Sequence, residues 1–305
     1  MYYSLDTCKL QVECCNVLGV CYNGRWKEGE IMSLFLCPIC KQPLEQEPNR
    51  YVCPTGHSYD IASAGYVHLL PSNQKNSLLP GDDKRMAAAR NRFLNGGWYQ
   101  PLRDAIAQIV AVRLPEGGVL FDSGCGEGYY TAGAAQLLRD CGKKAQIYGI
   151  DISKFSLRWA AKRDRSIAFA VASAYHLPLP DTSVDVLVNC FSPMAAEEFS
   201  RVVKPGGWLL YVVPAPRHLW EMKCVLYDRP YENREQRIDY PGFGNETVTR
   251  IDYSTHLPDQ QTIQDLFGMT PYVWKTPKEG AARLAQLDAL DTQISFDLHL
   301  FEREG

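Results

Sequence analysis

Hydrophobic residues follow different periods along the chain, and each period predicts its own kind of element. From Pro101 to Leu114 apolar residues recur at helical spacing, and the short run Val119–Phe121 is typical of a buried strand. Residues 245–257 and 293–304 have the pattern of two long strands, with a helix from Asp259 to Phe267 between them. We therefore expect an α/β domain beyond residue 100.

The segment before this domain, residues 71–100, predicts a linker. Pro80 and Gly81 favour a loop, and the run from Asp82 to Leu94 is typical of a helix. The basic residues of this helix are Lys84, Arg85, Arg90 and Arg92. The sequence therefore predicts a linker with a basic face.

Composition limits the class of protein. The chain has 305 residues, of which 46% are hydrophobic and 22% charged, which is enough for a substantial core and two domains. It has no uninterrupted apolar run of the ~18 residues needed to cross a bilayer, so we expect a soluble, cytoplasmic protein without a membrane partner. The net charge of −3 argues against binding nucleic acid through bulk charge, but it is compatible with local basic faces.

The chain contains 11 cysteines, which raises the question of disulfides. A long chain without a secretory signal is expected to keep its thiols reduced. Residues 1–31 lack both the apolar core of a signal peptide and the Arg-rich pattern of a transit peptide. We interpret them as a non-native or disordered leader, and we expect the folded protein to begin at Met32.

A group of candidate metal ligands follows this leader. Cys37 and Cys40 are separated by two residues, and Cys53 and His57 by three. Two close pairs of such ligands can surround a tetrahedral Zn²⁺. A redox Cys-x2-Cys motif is the alternative, but it belongs beside a βαβ unit, whereas this pair lies among prolines ahead of the α/β pattern. Residues 32–70 are therefore predicted to be a structural zinc-binding module that the metal helps to fold.

A glycine-rich turn opens the α/β domain. The first strand ends at Asp122, and the turn from Gly124 through Gly126 to Gly128 leads into a helix, so main-chain N–H groups face a ligand where bulky side chains are absent. A lone turn of this kind is a weak signal. The next predicted strand ends in Asp151, which could accept hydrogen bonds from ribose hydroxyls or, more simply, cap a helix. Together the two features predict a nucleotide-like cofactor.

The amino-acid sequence of the turn distinguishes between two classes of cofactor. Sites for NAD favour G-x-G-x-x-G, whereas "DSGCGEGYYT" resembles the D-x-G-x-G-x-G motif of the class I S-adenosylmethionine methyltransferases. The segments "AVASAYHLPLPDTSVDVLVNCFSP" and "EEFSRVVKPGGWLLYVVP" are similar to later landmarks of these enzymes and come in the same order. The resemblance implies a Rossmann-like, seven-stranded α/β fold over residues 101–305, closed by the two long C-terminal strands as an antiparallel pair.

With the zinc module in front, the chain is similar to the 23S ribosomal RNA guanine-N1 methyltransferases. The similarity runs from Met32 to the C-terminus through "CPIC", "GYVHLLP", "YQPLRDAI", "GCGEGYYT", "RVVKPGGW" and "PRHLWEMK". It implies methyl transfer from S-adenosylmethionine to N1 of a guanine in a hairpin loop of 23S ribosomal RNA. It also implies a zinc-ribbon-like module that helps to grip this hairpin, and it suggests a homodimer.

The same resemblance assigns the cofactor to the tyrosine of "YQPLRD", the Glu-Gly of "GCGEGYY" and the histidine of "PRHL". With the residues of the turn and the second strand, the predicted cofactor-binding set is Tyr99, Asp122, Gly124, Gly126, Glu127, Gly128, Asp151 and His218. Plainer roles exist for three of them. Tyr99 could pack on the sheet, the helix dipole could favour Glu127, and His218 could face solvent.

The RNA contacts are less clearly indicated. Asn189, in "NCFSP", lies where related methyltransferases hold the target base, although it could simply cap a strand end. The sequence does not indicate which residue is the general base. Among basic surfaces, we expect the linker helix, with Arg90 and Arg92, to contact phosphates. Residues 153–166, with Arg163 and Arg165, are interpreted as a solvated helix face, since helix exteriors are commonly charged.

Two other functions fit the sequence. One is a methyltransferase for small molecules in which the zinc module has no role in the substrate. The other is a non-catalytic RNA-binding protein with a vestigial cofactor fold. Residues 226–244, rich in Tyr, Arg and Pro, have the composition of a loop that could cover the site.

Overall fold

The computed structural model describes residues 32–71, 81–234 and 240–305, and the predicted leader lies outside these ranges. The N-terminal part forms a small antiparallel sheet in which neighbouring strands follow each other along the chain. Its strands are β1 (Met32–Leu36), β2 (Pro43–Glu47), β3 (Arg50–Val52) and β4 (Ser58–Asp60). The two pairs of predicted zinc ligands lie in the turns that follow β1 and β3.

The α/β domain is built around one large sheet with helices on its faces. The strands are β5 (Tyr66–His68), β6 (Gly118–Ser123), β7 (Ala145–Asp151), β8 (Ala168–Val171), β9 (Val184–Cys190), β10 (Val203–Pro214), β11 (Phe243–Leu257) and β12 (Leu290–Arg303). The helices are α1 (Lys84–Asn95), α2 (Gln100–Arg113), α3 (Tyr129–Asp140), α4 (Lys154–Arg163), α5 (Ala196–Val202), α6 (Trp220–Leu226), α7 (Gln260–Gly268), α8 (Tyr272–Lys275) and α9 (Lys278–Leu284).

The sheet has the order β11-β12-β10-β9-β6-β7-β8-β5. Strands β6 to β12 are the seven that were predicted, and the antiparallel pair β11 and β12 closes the sheet as expected. The additional strand is β5, which comes from the segment assigned to the zinc module and pairs with β8 in parallel. The N-terminal module therefore continues directly into the edge of the main sheet.

The strand order reverses at β6, which pairs in parallel with β7 on one side and β9 on the other. Ligands of open α/β sheets bind at such a switch point, in the crevice beyond the carboxyl ends of the strands. The glycine turn follows β6 and Asp151 ends β7, so both lie at this edge. The topology thus places the predicted cofactor residues where a crevice forms.

The zinc module packs directly on one face of the sheet. Phe35 is fully buried, and its ring meets that of Tyr148 edge-on with 5.3 Å between the ring centres. The backbone N–H of Leu36 donates to the carbonyl of Pro178 over 2.8 Å, in the connection between β8 and β9, which contains no helix. Module and sheet share one hydrophobic cluster. Burial against the sheet, in addition to a metal, therefore stabilises this short segment.

The four basic residues of helix α1 have different surroundings: Lys84 and Arg85 are exposed, whereas Arg90 and Arg92 pair with carboxylates. Arg90 pairs with Asp82 over 2.8 Å, and Arg92 pairs with Asp265 over 2.5 Å. Both guanidinium groups thus already have carboxylate partners, which lock α1 against the neighbouring loop and α7. The sequence alone could not show these partners, which α7 and the preceding loop supply, and the contact of α1 with RNA phosphates stays a prediction.

Within the described ranges, no helix combines the length and the apolar character required to cross a bilayer.

The shared core predicts that module and sheet unfold together. Phe35→Ala should lower the free energy of unfolding by about 3 to 5 kcal/mol, because it leaves a cavity at the junction. Ile39→Ala, at a residue that is 64% exposed, should change it by less than about 0.5 kcal/mol. Denaturant unfolding followed by far-UV circular dichroism and by tyrosine and tryptophan fluorescence should give one coincident transition, and two separate transitions would contradict the shared core.

Candidate metal centre and cofactor site

The four predicted zinc ligands converge on one point. Their donor atoms all lie within 4.8 Å of one another. The Sγ atoms of Cys40 and Cys53 are 3.5 Å apart, and Nδ1 of His57 is 3.6 Å from Sγ of Cys37 and 3.4 Å from Sγ of Cys53. Around a tetrahedral zinc ion the corresponding separations are about 3.8 Å between sulfurs and about 3.6 Å between sulfur and nitrogen. The cluster therefore fits Zn²⁺, with His57 binding through Nδ1.

Groups around these ligands favour thiolates. The hydroxyl of Tyr59 lies 3.1 Å from Sγ of Cys37, and the backbone N–H of His57 donates to Sγ of Cys53 over 3.3 Å. Such outer hydrogen bonds orient metal ligands and tune their charge. With all four positions taken by protein atoms, the centre is closed and structural.

The glycine turn adopts a conformation that few other residues tolerate. Gly124, Gly126 and Gly128 all have left-handed backbones, with φ of 83°, 56° and 76°. The carboxylate of Asp151 holds the turn, since Oδ2 accepts from the N–H of Gly126 over 2.9 Å and Oδ1 accepts from the N–H of Ser153 over 2.7 Å. The predicted ribose-binding residue is therefore also a structural brace of the turn.

Three carboxyl groups lie around this turn, those of the buried Asp122 and Glu127 and that of the half-buried Asp151. Burial raises the pKa of Asp151 to about 6 and that of Asp122 to about 7, and burial also raises the pKa of Glu127, partly offset by Arg163. Oδ1 of Asp122 and Oε1 of Glu127 have no hydrogen-bond partner. Buried carboxylate oxygens without partners are costly, so they point to donors that a ligand would bring, such as hydroxyl or ammonium groups.

Glu127 joins the turn to two helices. Its Oε2 accepts from the side-chain amide of Asn91 on α1 and forms an ion pair with Arg163 on α4. Arg163 also donates from Nε to the carbonyl of Glu127 over 3.2 Å. The interpretation of Arg163 as part of a solvated face is therefore wrong. Its partner is 36 residues away in sequence, and no local pattern indicates such a pairing.

Helix α1 also covers the turn. Arg90 donates to Asp82 and, over 2.8 Å, to the carbonyl of Met269. Although burial opposes it, the carboxylates of Asp82 and Asp151 raise the pKa of Arg90. A Cβ atom added to Gly126 would lie 4.0 Å from Cδ of Arg90. This cation over the turn was not among the predicted site residues.

A continuous group of aromatic rings connects the turn to His218. Ring centres of Tyr130 and Phe191 are 6.3 Å apart, those of Phe191 and Phe296 5.1 Å, and those of Phe296 and His218 4.4 Å. Tyr99 also meets Phe296, with 5.0 Å between the ring centres. The structure thus brings Tyr99 and His218 together beside the turn. Phe191 and Phe296 were not predicted, and only the position of Phe191 in "NCFSP" could have suggested its place.

His218 is buried and neutral rather than exposed in a loop. Its Nδ1 accepts from the N–H of Ser295 over 3.2 Å, so the ring proton is on Nε2 and is donated to the hydroxyl of Tyr99 over 3.4 Å. Burial, with the charge of Lys223, lowers the pKa of His218 to about 3. Both ring nitrogens are committed, so His218 orients other groups and cannot accept a substrate proton.

The motif that contains His218 also anchors the loop after α6. Nζ of Lys223, which is fully buried, donates to Oδ1 of Asn233 over 2.8 Å, and Nδ2 of Asn233 donates to the carbonyl of Ala215 over 2.8 Å. Of the predicted covering loop, residues 226–244, the described parts 227–234 and 240–242 form neither helix nor strand, whereas Leu226 ends α6 and residues 243–244 begin β11. The first of these two segments is thus held beside the turn that leads to His218.

Asn189 organises the loop at the end of β9. Its Nδ2 donates to the carbonyl of Pro193 over 3.0 Å, while its buried Oδ1 has no partner. Within this loop Phe191 has a left-handed backbone with φ of 56°, which is strained for an aromatic residue. A side chain at Gly124 would overlap Ser192, so this loop and the glycine turn are in close contact.

Comparison with known proteins decides between the two possible cofactors, NAD and S-adenosylmethionine. Residues 35–78 match a zinc-ribbon family model described as "RlmA, N-terminal", and residues 121–211 match that of a methyltransferase domain. A 23S rRNA (guanine(748)-N(1))-methyltransferase from Streptomyces fradiae is 32% identical over 83% of this chain and 91% of its own length.

Two further relatives, provisionally named 23S rRNA (guanine-N(1)-)-methyltransferases, come from Bacillus subtilis (strain 168), as YxjB, and from Micromonospora griseorubida. They are 32% and 35% identical, and the alignments cover 87% and 82% of this chain and 96% and 90% of the relatives. The chain belongs to this methyltransferase family. The cofactor is therefore S-adenosylmethionine rather than NAD, and the metal of the N-terminal module is zinc.

The ligand geometry predicts about one Zn²⁺ per chain in freshly purified protein. Cys53→Ser should remove most of the metal and lower stability, because it opens a centre that helps to fold the module. Cys141→Ser, at an exposed cysteine outside the cluster, should leave the zinc content unchanged. Metal analysis by mass spectrometry decides, and a zinc-free wild-type protein would contradict the assignment.

Asp122 predicts a specific pH dependence. The pKa of Asp122 is about 7 in the folded protein, whereas its usual value is 3.8. At pH values between these two, the folded protein therefore binds one proton more than the unfolded chain. The stability that this proton gives is complete below about pH 4 and is lost as pH rises through about 7. The free energy of unfolding of Asp122→Asn, relative to that of wild type, should therefore increase as pH rises from 5 to 8.

The size of this effect is up to about 1.4 kcal/mol for each pH unit over which only the folded state is protonated. Denaturant unfolding at several pH values, without cofactor, measures it. Asp140→Asn, at an exposed position, is the control and should follow the wild-type curve. If Asp122→Asn followed it too, the carboxyl group of Asp122 would not be protonated in the folded protein.

Proposed function

We propose that the protein transfers the methyl group of S-adenosylmethionine to N1 of a guanine in 23S ribosomal RNA. The observation that carries this proposal is the alignment of nearly the whole chain, zinc module included, with relatives named for this activity. A zinc ribbon and a methyltransferase domain that share one core support it, because a module so integrated is part of the enzyme.

The main requirement of the reaction is to position guanine N1 against the methyl group of the cofactor. When bound, S-adenosylmethionine would supply a methyl group on a sulfonium centre; transfer to guanine N1 would break the methyl–sulfur bond and release the N1 proton to solvent or an acceptor. The glycine turn, with Asp151, Glu127 and the Tyr99–His218 pair, is proposed to hold the cofactor. His218 is not the base, since its Nδ1 already accepts a hydrogen bond.

We place the target base at the end of β9. Phe191 is 38% exposed, and its ring stands beside Tyr130 and Phe296 next to the glycine turn. An exposed aromatic ring at this edge suits stacking on an unpaired guanine. Asn189 is proposed to position the base, either through its unpaired Oδ1 or by fixing the loop that carries Phe191.

The guanine is proposed to lie in a hairpin loop, because removing a base from its stack costs less in a loop than in a duplex. The homodimer that the family resemblance suggests stays a prediction, which the molar mass in solution would test.

Methyl transfer from labelled S-adenosylmethionine tests this proposal. We expect label in undermethylated 23S ribosomal RNA and none in a panel of small-molecule acceptors. Phe191→Ala should reduce kcat/KM for the RNA by about tenfold or more through lost stacking, with cofactor affinity within about twofold of wild type. Phe191→Tyr, which keeps the ring, should retain most activity. Label only in small molecules, or in neither class of acceptor, would contradict the proposal.

A further inference from the structure

The outer face of α4 carries an unusual combination of side chains. Lys154, Arg158 and Lys162 follow each other at intervals of four residues and are exposed, so they form one row along the helix. Phe155 and Trp159 form a second row beside the first. The opposite face is buried through Leu157, Ala160 and neighbouring small residues. Cations and aromatic rings thus share one surface of the helix.

Within the described part of the chain, the cations of this row are not engaged by carboxylates. Among the residues that the structure describes, Lys154, Arg158 and Lys162 form no ion pair and no side-chain hydrogen bond to a carboxylate. By contrast, Arg90 and Arg92 on α1 and Arg163 on the inner side of α4 are all paired. In a chain of net charge −3, this row is therefore a local concentration of positive charge that is free to meet an anion.

The tryptophan distinguishes this surface from an ordinary solvated helix. Trp159 is 42% exposed, although burial of a ring of this size is favourable. A plain solvated face explains charged residues but gives no reason for an exposed indole between them. Single-stranded nucleic acid binds to exposed aromatic rings that are flanked by cations, because its bases stack on the rings and its phosphates pair with the positive charges.

A pocket of about 270 Å³ extends this surface toward the zinc module. It lies between the first two turns of α4, with Lys154 and Arg158, and the segment that leaves the module, with Ser63 and Tyr66. Beside the pocket the segment and α4 approach each other closely, since a Cβ atom added to Gly65 would lie 3.5 Å from Cβ of Ala161. The surface therefore joins the two parts of the chain along the β5 edge of the main sheet.

We propose that the outer face of α4 and this pocket bind the RNA substrate. Lys154, Arg158 and Lys162 contact consecutive phosphates, and Trp159 stacks on an unpaired base outside the reacting guanine. This inference rests on the proposed function. Because Arg163 ties the inner side of α4 to Glu127 of the glycine turn, RNA held here stands in fixed relation to the cofactor site.

Binding of a 23S ribosomal RNA fragment as a function of salt tests the charged row. Replacing Lys154 and Arg158 together by Gln should weaken binding by about tenfold and lower the slope of log affinity against log salt by about 1.4 to 1.8. The matched control replaces Lys143 and Lys144 by Gln. These residues precede β7 at the edge of the sheet opposite Asp151, and the same two charges are lost there. The control should leave affinity and slope close to wild type.

Trp159→Ala tests the stacking. It should raise KM for the RNA by about tenfold, with kcat and the affinity for S-adenosylmethionine unchanged, and Trp159→Phe should restore most of the loss. Unchanged cofactor affinity also shows that each variant is folded.

The two proposals fail in different ways. If wild-type protein methylates the RNA but the α4 variants behave like the Lys143 and Lys144 control, the α4 surface does not bind RNA and the function stands. If wild-type protein neither binds nor methylates the RNA, the proposed function falls, and this inference falls with it.

Discussion

The burial of the Glu127 carboxylate is the constraint on which the cofactor side of the molecule depends. A carboxylate in the interior costs several kcal/mol unless hydrogen bonds and an opposite charge compensate it. Asn91 and Arg163 supply both, and in doing so they join the glycine turn to α1 and α4. Because three left-handed glycines would otherwise leave the turn loosely defined, this junction holds its N–H groups in place, with α1 and Arg90 packed over it.

The zinc module covers one face of the sheet and shares a hydrophobic cluster with it. The connection from β8 to β9 contains no helix, and Phe35, Leu177 and Tyr148 belong to one buried cluster there. The metal and the shared core then act together, since zinc shapes the two ligand turns and the sheet provides the apolar surface that so short a segment cannot supply alone. A change at the metal centre is thereby coupled to the sheet that carries the cofactor crevice.

The sequence predicted those features that local chemistry determines. Ligand spacing indicated the cysteine and histidine cluster, and the order of strand, glycine turn and second strand indicated that the turn and Asp151 lie at one edge of the sheet. It failed where a side chain depends on a distant partner. Arg90 and Arg163 have the same appearance in sequence as Arg158, yet the first two are paired inside the site and the third is exposed. The strand β5 was missed because three residues are too short to show a period.

The proposed reaction of this zinc-containing methyltransferase is the modification of N1 of guanine in ribosomal RNA. The most direct measurement is the identity of the methylated nucleoside. Undermethylated 23S ribosomal RNA is incubated with the protein and S-adenosylmethionine, digested to nucleosides, and analysed by liquid chromatography and mass spectrometry against standards. We predict a gain of 1-methylguanosine and of no other methylated nucleoside. A methyl group on another guanine atom, on another base or on ribose would contradict this reaction.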